Sequence, residues 1–192
     1  LINIKIKYNL PIDKKIIFFG ASDILENRKG FSYFIKALDL IFKNNLINNE
    51  KIFILTVGKV KSKDIFKKIN FNHKHIDYLD GDYELAEIYK VVTMLVSSSI
   101  EDSGPKMINE SILCGTPVVS FQMGVAEDLI INGETGYIAK LKDIKDLANG
   151  IIKIINLDNQ KFIKMKTKCR EIGLEKCGTE VQFQKILKLL KN

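Results

Sequence analysis

The sequence has little cysteine and little proline, and it lacks tryptophan altogether. Its three cysteines, Cys114, Cys169 and Cys177, are odd in number and have no C-x-x-C spacing, which argues against both a disulfide framework and a zinc ribbon. No apolar run is long enough to span a membrane, and no signal peptide is visible within these 192 residues. We therefore expect a protein of the reducing cytoplasm.

Two common nucleotide-binding signatures are also missing. G-x-G-x-x-G would indicate a dinucleotide-dependent oxidoreductase and G-x-x-x-x-G-K-[ST] a P-loop enzyme, and neither occurs. The pair His73 and His75 has no acidic or cysteine partner nearby, so we expect no metal site. Nucleic acid is not an expected partner, because no Lys/Arg run is interleaved with aromatic residues. The net charge of +7 still suits nucleotide diphosphates or anionic lipid headgroups.

The hydrophobic pattern predicts alternating strands and helices. Continuous apolar runs at 16–21 and 51–58 are typical of central parallel strands, and shorter runs follow. The shorter strands are predicted at 75–79, 94–96, 118–121 and 137–139, and helices at 31–42, 65–69, 85–89, 105–114, 126–131, 147–155, 162–172 and 179–190. We therefore predict an α/β fold with a doubly wound, Rossmann-like parallel sheet over residues 15–192, preceded in residues 1–14 by a first strand or linker.

The stretch from Val96 to Ser120 is the best candidate for a functional site. It contains a buried strand, an acidic loop, a helix that Pro105 opens and a second strand. The free amides of Lys106 and Met107 at the helix start predict an anion site. Asp102 and Glu110 flank this site with no cation between them except Lys106. Their carboxylates therefore suit sugar or ribose hydroxyls better than a metal.

A second cluster of charge lies after the first long strand. Arg28 and Lys29 precede Gly30 at a helix start, so two cations and several free amides converge there. In a doubly wound sheet, ligands bind at the carboxyl ends of the strands. We therefore expect the loop of residues 20–30 to lie beside the loop of residues 101–106.

The run EDSGPKMINE followed by CGTPVV resembles the Glu-x7-Glu region of GT-B glycosyltransferases of family 4, also called glycosyltransferases group 1. The resemblance extends over roughly residues 15–190. It implies the C-terminal, donor-binding half of a GT-B enzyme that transfers a sugar, with retention, from a nucleotide-diphosphate sugar to a saccharide or lipid-linked acceptor. No cofactor or essential metal is implied. The N-terminal acceptor domain is expected to be absent from this chain, and the isolated domain is expected to be inactive.

The resemblance also assigns roles to individual residues. In the family, a Lys-Gly pair contacts the donor diphosphate, helped by an arginine that follows the glycine of the first strand. Here Ala21 follows Gly20, so Arg28 is the substitute candidate, and Arg28 and Lys29 are the expected catalytic cations. The expected donor-binding residues are Gly20, Asp102, Ser103, Gly104, Lys106, Met107 and Glu110. Of these, Asp102 and the loop of residues 103–107 would position the sugar and phosphate, and Glu110 would accept hydrogen bonds from the ribose.

Other functions remain open at this point. A nucleotide-sugar epimerase or a phosphorylase of the same architecture would share the donor half. A non-catalytic subunit would keep the fold and hold a partner chain. Separately, Asp102 could be a solvated or helix-capping carboxylate, and Glu110 an ordinary surface residue. Polysaccharide or lipid-linked oligosaccharide assembly, with peripheral association at the inner membrane face, is a further expectation from the family.

Overall fold

The computed structural model describes residues 1–79, 81–102 and 104–190. These residues form an α/β domain around a six-stranded sheet in which every pair of neighbouring strands is parallel. The strands are β1 (Lys15–Asp23), β2 (Ile52–Lys59), β3 (His73–Ile76), β4 (Met94–Ser97), β5 (Val118–Phe121) and β6 (Gly136–Ala139). The helices are α1 (Ile2–Lys7), α2 (Phe31–Lys43), α3 (Asp82–Val91), α4 (Lys106–Leu113), α5 (Ala126–Leu129), α6 (Ile144–Ile155), α7 (Asn159–Cys177) and α8 (Thr179–Leu190).

Helices cover both faces of the sheet, which is why the middle residues of its central strands are mainly apolar. Successive side chains of a strand point to opposite faces, and two adjacent residues of β1 show this directly. The Phe18 ring meets Tyr89 of α3 edge-on at 5.7 Å, whereas the Phe19 ring stacks on Phe34 of α2 at 5.3 Å. On the Phe19 side α2 packs against α6, and on the Phe18 side α4 packs against α3 and α7.

The strand order is β3-β2-β1-β4-β5-β6, so the direction of the order reverses between β1 and β4. At the point of reversal the chain leaves β1 and β4 towards opposite faces, which opens a crevice at their carboxyl ends. The prediction of a doubly wound, Rossmann-like parallel sheet is confirmed.

The first segment differs from its prediction. Of the two alternatives predicted for residues 1–14, a first strand or a linker, the strand was wrong, because Ile2–Lys7 forms the helix α1. The alternating isoleucines suggested a strand, yet Ile2 and Ile6 are exposed and the segment does not join the sheet. It is held instead to α3, where Glu87 Oε2 accepts hydrogen bonds from Lys7 Nζ at 2.7 Å and from the Tyr8 hydroxyl at 2.6 Å.

Smaller differences concern the boundaries of elements. The helix predicted near residue 65 is a 3₁₀ helix, Lys63–Lys68, and the third strand begins and ends earlier than its apolar pattern indicated. Pro105 does not occupy the first helical position. It lies immediately before α4 with an extended ψ of 105°, and its carbonyl accepts the Ile108 amide at 2.9 Å.

Candidate functional site

A pocket of about 590 Å³ lies at the carboxyl edge of the sheet, at the point where the strand order reverses. Its floor is formed by the ends of β1, β2 and β4, and its walls by the first turns of α3 and α4. Five of the predicted site residues line it, namely Gly20, Lys29, Lys106, Met107 and Glu110. This is where ligands bind in doubly wound sheets.

Lys29 is placed by a loop that is tied to the loop after β4. The Ile100 amide donates to the Arg28 carbonyl at 2.7 Å, and the Ser98 hydroxyl donates to the Gly30 carbonyl at 2.8 Å. Gly30 has a left-handed backbone, with φ of 70°, and a Cβ added there would lie 1.7 Å from the Ser98 carbonyl oxygen. Only glycine permits this approach. Gly30 therefore joins the loop after β1 to Ser98, the first residue after β4.

The cations of the first loop meet Asp102 of the second. The Lys29 Nζ atom lies 2.6 Å from Asp102 Oδ2, and Arg28 Nη1 lies 3.5 Å from the same oxygen. Lys29 thus reaches Asp102 from another part of the chain, a contact that the sequence reading did not foresee. Partial burial acts to raise the pKa of Asp102, but the hydrogen bonds from Lys29 and the Gly104 amide and the nearby positive charges outweigh it and lower that pKa.

The two predicted catalytic cations differ in position. The Lys29 side chain is 19% exposed and lines the pocket. The Arg28 side chain is 43% exposed, forms an ion pair with Glu26 and is not part of the pocket lining in the described residues. Of the two predicted cations, therefore, Lys29 lines the pocket, and Arg28 contacts Asp102 from outside the lining.

The beginning of α4 forms the opposite wall. The amides of Lys106 and Met107 are the first of this helix and have no partner within it, so the wall presents free donors and the positive end of the helix dipole. Lys106 Nζ lies 3.1 Å from Glu110 Oε1 and 3.6 Å from Asp82 Oδ1. The hydrogen bond to Glu110 raises the pKa of Lys106.

Gly20 and Met107 occupy the pocket floor together. A Cβ on Gly20 would lie 2.3 Å from Met107 Cε, so the absence of a side chain at Gly20 lets the methionine cover the end of β1. Their contact supplies an apolar surface beneath the charged groups.

Glu110 reaches the pocket from the second turn of α4. Its carboxylate is 22% exposed and accepts a hydrogen bond of 3.0 Å from the hydroxyl of Tyr89. Burial, followed by the charge of Glu110 and this hydrogen bond, raises the pKa of Tyr89 well above its usual value. The Tyr89 hydroxyl is placed as the donor and the Glu110 carboxylate as the acceptor of this bond.

Two further predicted residues, Asp102 and Gly104, lie in the loop that precedes α4. The Gly104 amide donates to Asp102 Oδ1 at 3.2 Å, which shapes the loop, but neither Gly104 nor Asp102 is among the described residues that line the pocket. Ser103 lies outside the described residues.

Sequence reasoning missed one wall of the pocket. It is formed by Tyr78, Leu79 and Gly81 of the segment between β3 and α3, and by Asp82 and Leu85 of the first turns of α3. One signal could have found this wall. The third strand was predicted to belong to a parallel sheet, and the carboxyl ends of parallel strands lie at the same edge, so the segment after β3 had to lie near the ends of β1 and β4.

The histidine pair is not arranged as a metal centre. The His75 Nδ1 atom lies 2.9 Å from Thr56 Oγ1 and its Nε2 atom lies 3.1 Å from Asp77 Oδ1. The reading that gave the pair no acidic partner was wrong, since Asp77 contacts His75. In the described residues, no three His, Cys, Asp or Glu side chains come together as candidate metal ligands.

None of the described helices has the length and hydropathy needed to cross a membrane.

Solved structures define the class of this domain. The domain superposes on Anabaena HepE in complex with UDP and glucose, with a TM-score of 0.80 and 18% identity. The superposition covers 98% of this chain and 51% of the HepE chain. The domain also superposes on the C-terminal domain of a group 1 glycosyl transferase from Francisella tularensis, with a TM-score of 0.74 and 18% identity over 92% of each chain. The fold is that of GT-B glycosyltransferases.

The sequence comparison gives the family. The profile described as Glycosyl transferases group 1 matches residues 3–175, and the chain belongs to that family. A relative from Staphylococcus aureus, named poly(ribitol-phosphate) alpha-N-acetylglucosaminyltransferase, is 29% identical over 170 residues, which are 85% of this chain and 33% of the relative. The matches to four curated relatives cover between 33% and 42% of the relatives' lengths.

Proposed function

We propose that this chain binds the donor of a glycosyltransferase, a nucleotide-diphosphate sugar, in the pocket at the carboxyl edge of its sheet. The observation that carries the proposal is that Lys29, the free amides at the start of α4 and the Glu110 carboxylate all border one pocket. A cation beside free amides suits a diphosphate. A carboxylate is an acceptor and suits the hydroxyl groups of a ribose.

The chemistry proposed for these residues is electrostatic. When the bond between sugar and diphosphate breaks, negative charge develops on the leaving phosphate, and preorganised cations stabilise it. We propose this role for Lys29, which contacts Asp102. Arg28 contacts the same carboxylate from outside the pocket and adds a second positive charge nearby. Glu110 holds the ribose, and Asp102 positions Lys29 and the donor sugar. We propose that no metal or cofactor is required, because these cations supply the charge that a metal would otherwise provide.

The relatives support a particular donor class. HepE was solved with UDP and glucose, and the Staphylococcus aureus relative is named for transfer of N-acetylglucosamine. Both favour a hexosyl unit, and UDP is therefore the first ligand to test. We propose retention at the anomeric carbon from the family resemblance, and the anomeric configuration of the product formed once the acceptor domain is present tests it.

The acceptor side is proposed to lie on another domain. The chain matches less than half of each curated relative's length, and its pocket is open at the edge of the sheet. We propose that an N-terminal acceptor domain completes the active site and that the donor-binding domain alone transfers no sugar. The complete enzyme is proposed to act in the cytoplasm, at the membrane face, on a saccharide or lipid-linked acceptor in polysaccharide assembly.

Calorimetric titration tests the proposal. The chain is titrated with UDP, GDP and ADP and with their glucose conjugates, and the titration is repeated on Glu110→Ala. The matched control is Glu171→Ala, since Glu171 is an exposed helical glutamate paired with Lys168. We expect saturable binding of one base, weakened by the change at Glu110 and unaffected by the change at Glu171. A folded chain that binds none of the six compounds would contradict the proposal and favour the non-catalytic subunit.

A further inference from the structure

We propose that Tyr89 is a positioning residue that aims the Glu110 carboxylate at the ribose hydroxyls of the bound nucleotide. The inference rests on the function proposed above. It gives a role in ligand binding to a residue that is not among the described residues lining the pocket. The Tyr89 hydroxyl donates to Glu110 Oε2 at 3.0 Å, and Glu110 lines the pocket. Tyr89 therefore acts on a ligand only through Glu110.

Tyr89 is held rigidly by its surroundings. Its side chain lies between α3 and the sheet, 1% exposed, with its ring edge-on to Phe18 at 5.7 Å. A buried aromatic ring in such contact cannot change rotamer without displacing its neighbours. The direction of its hydroxyl group is thereby fixed by β1, which also forms the pocket floor.

Buried hydrogen bonds also hold α3, which carries Tyr89, at a fixed distance from α4, which carries Glu110. The Thr116 hydroxyl donates to the Tyr89 carbonyl at 2.5 Å, and the Thr116 amide donates to the Ser111 carbonyl at 2.8 Å. The Ser111 hydroxyl donates back to the Thr116 carbonyl at 3.0 Å. Because Ser111 follows Glu110 on α4, this chain of bonds ties the end of α3 to the turn that carries the carboxylate.

The two oxygens of Glu110 are held unequally. Oε2 receives the buried Tyr89 hydroxyl, whereas Oε1 receives Lys106, an exposed surface lysine whose ion pair is weak and exchangeable. A carboxylate oxygen accepts two hydrogen bonds, so Oε1 retains capacity for a ribose hydroxyl. Tyr89 thus anchors one oxygen and leaves the other directed into the pocket.

The test compares UDP with 2′,3′-dideoxy-UDP, which lacks the hydroxyl groups that Glu110 is proposed to hold. For Tyr89→Phe we expect UDP binding to weaken roughly tenfold, the effect of misplacing one hydrogen bond to a charged group. Binding of the dideoxy compound is expected to stay at its wild-type value. A variant that had merely lost packing would weaken both ligands alike, so the ratio of the two affinities reports on positioning.

Two controls complete the design. Tyr137→Phe removes a comparable bond, from the Tyr137 hydroxyl to Asp146 Oδ1 at 2.8 Å, outside the pocket, and is expected to bind UDP normally. In a double-mutant cycle, Tyr89→Phe is expected to have no further effect on UDP binding once Glu110→Ala is present, because both changes act through one carboxylate.

The possible failures are distinguishable. Equal weakening of UDP and its dideoxy analogue by Tyr89→Phe, or no weakening of either, overturns the role of Tyr89 and leaves the proposed function standing. Absence of UDP, GDP and ADP binding by the folded wild-type chain overturns the proposed function and this inference together.

Discussion

The ammonium group of Lys29 lies 2.6 Å from the carboxylate of Asp102, a residue 73 positions further along the chain. This contact joins the loop after β1 to the loop after β4, the two segments at the point where the strand order reverses. The carboxylate contacts the lysine at the edge of the pocket that Lys29 lines. Donor binding in this account depends on that arrangement.

Replacing Lys29 by alanine is expected to weaken UDP binding by about 10- to 100-fold, because a charge-assisted hydrogen bond to phosphate contributes about 1.5–3 kcal/mol. Lys43→Ala is the matched control, since Lys43 is an exposed lysine paired with Asp39 on α2. Calorimetry on both variants gives the comparison. If Lys29→Ala binds UDP as tightly as Lys43→Ala does, Lys29 is not a phosphate contact.

Asp102→Asn is expected to have a smaller effect on UDP binding than Lys29→Ala, because the cation remains and only its orientation is loosened. The measurement is the same titration, carried out at low and at moderate salt. A larger loss for Asp102→Asn than for Lys29→Ala would mean that the carboxylate contacts the donor more strongly than it positions the lysine.

Gly30→Ala is expected to destabilise the fold more than Gly133→Ala. Both glycines have a positive φ, 70° and 83°, so both substitutions carry backbone strain of about 1–2 kcal/mol. Only at Gly30 would the new Cβ meet another backbone, 1.7 Å from the Ser98 carbonyl oxygen, whereas nothing lies within 4 Å at Gly133. Urea unfolding gives the free energy of each variant. Equal losses would show that the close approach of the two loops contributes nothing.

UDP binding is expected to need no divalent cation. Lys29 and the helix start supply the positive charge at the phosphate position, so addition of EDTA should leave the affinity unchanged. Calorimetry with EDTA, and then with Mg²⁺ or Mn²⁺, makes the comparison. Binding that appears only with the metal present would contradict the metal-independent mechanism.

Acidification is expected to destabilise the fold through His75. Burial lowers the pKa of His75 below its usual 6.5. The charge of Asp77 acts to raise that pKa but is outweighed, and the charge of Lys63 lowers it slightly further. The unfolded chain therefore takes up the proton first as pH falls, and stability is lost from just above pH 6.5 downwards to the lower folded pKa. Urea unfolding between pH 7.5 and 5.5 should show a shallower loss for His75→Gln. Identical pH dependence in the two proteins would refute this role for His75.

Much of the fold was predictable because its signals are local. The apolar runs that became β1 and β2 and the three-and-four spacing that became α2 depend only on nearby residues. The alternating residues of α1 were misread because a short apolar pattern fits a strand as well as a helix, and packing on α3 decided the outcome.

The candidate site was predictable only in part. Lys29 and Glu110 were found because their types and spacing carry chemistry on their own. The pairing of Lys29 with Asp102 and the hydroxyl that Tyr89 offers to Glu110 depend on how distant segments fold together. The wall around Tyr78 and Asp82 follows from sheet topology rather than from any motif.

The most direct test of the account is a crystal structure of this chain with UDP. We expect the diphosphate between Lys29 Nζ and the amides that begin α4, with a ribose hydroxyl on Glu110. UDP bound anywhere else on the molecule, such as the smaller groove of about 290 Å³ lined by Ile2, Val92 and Lys166, would contradict it.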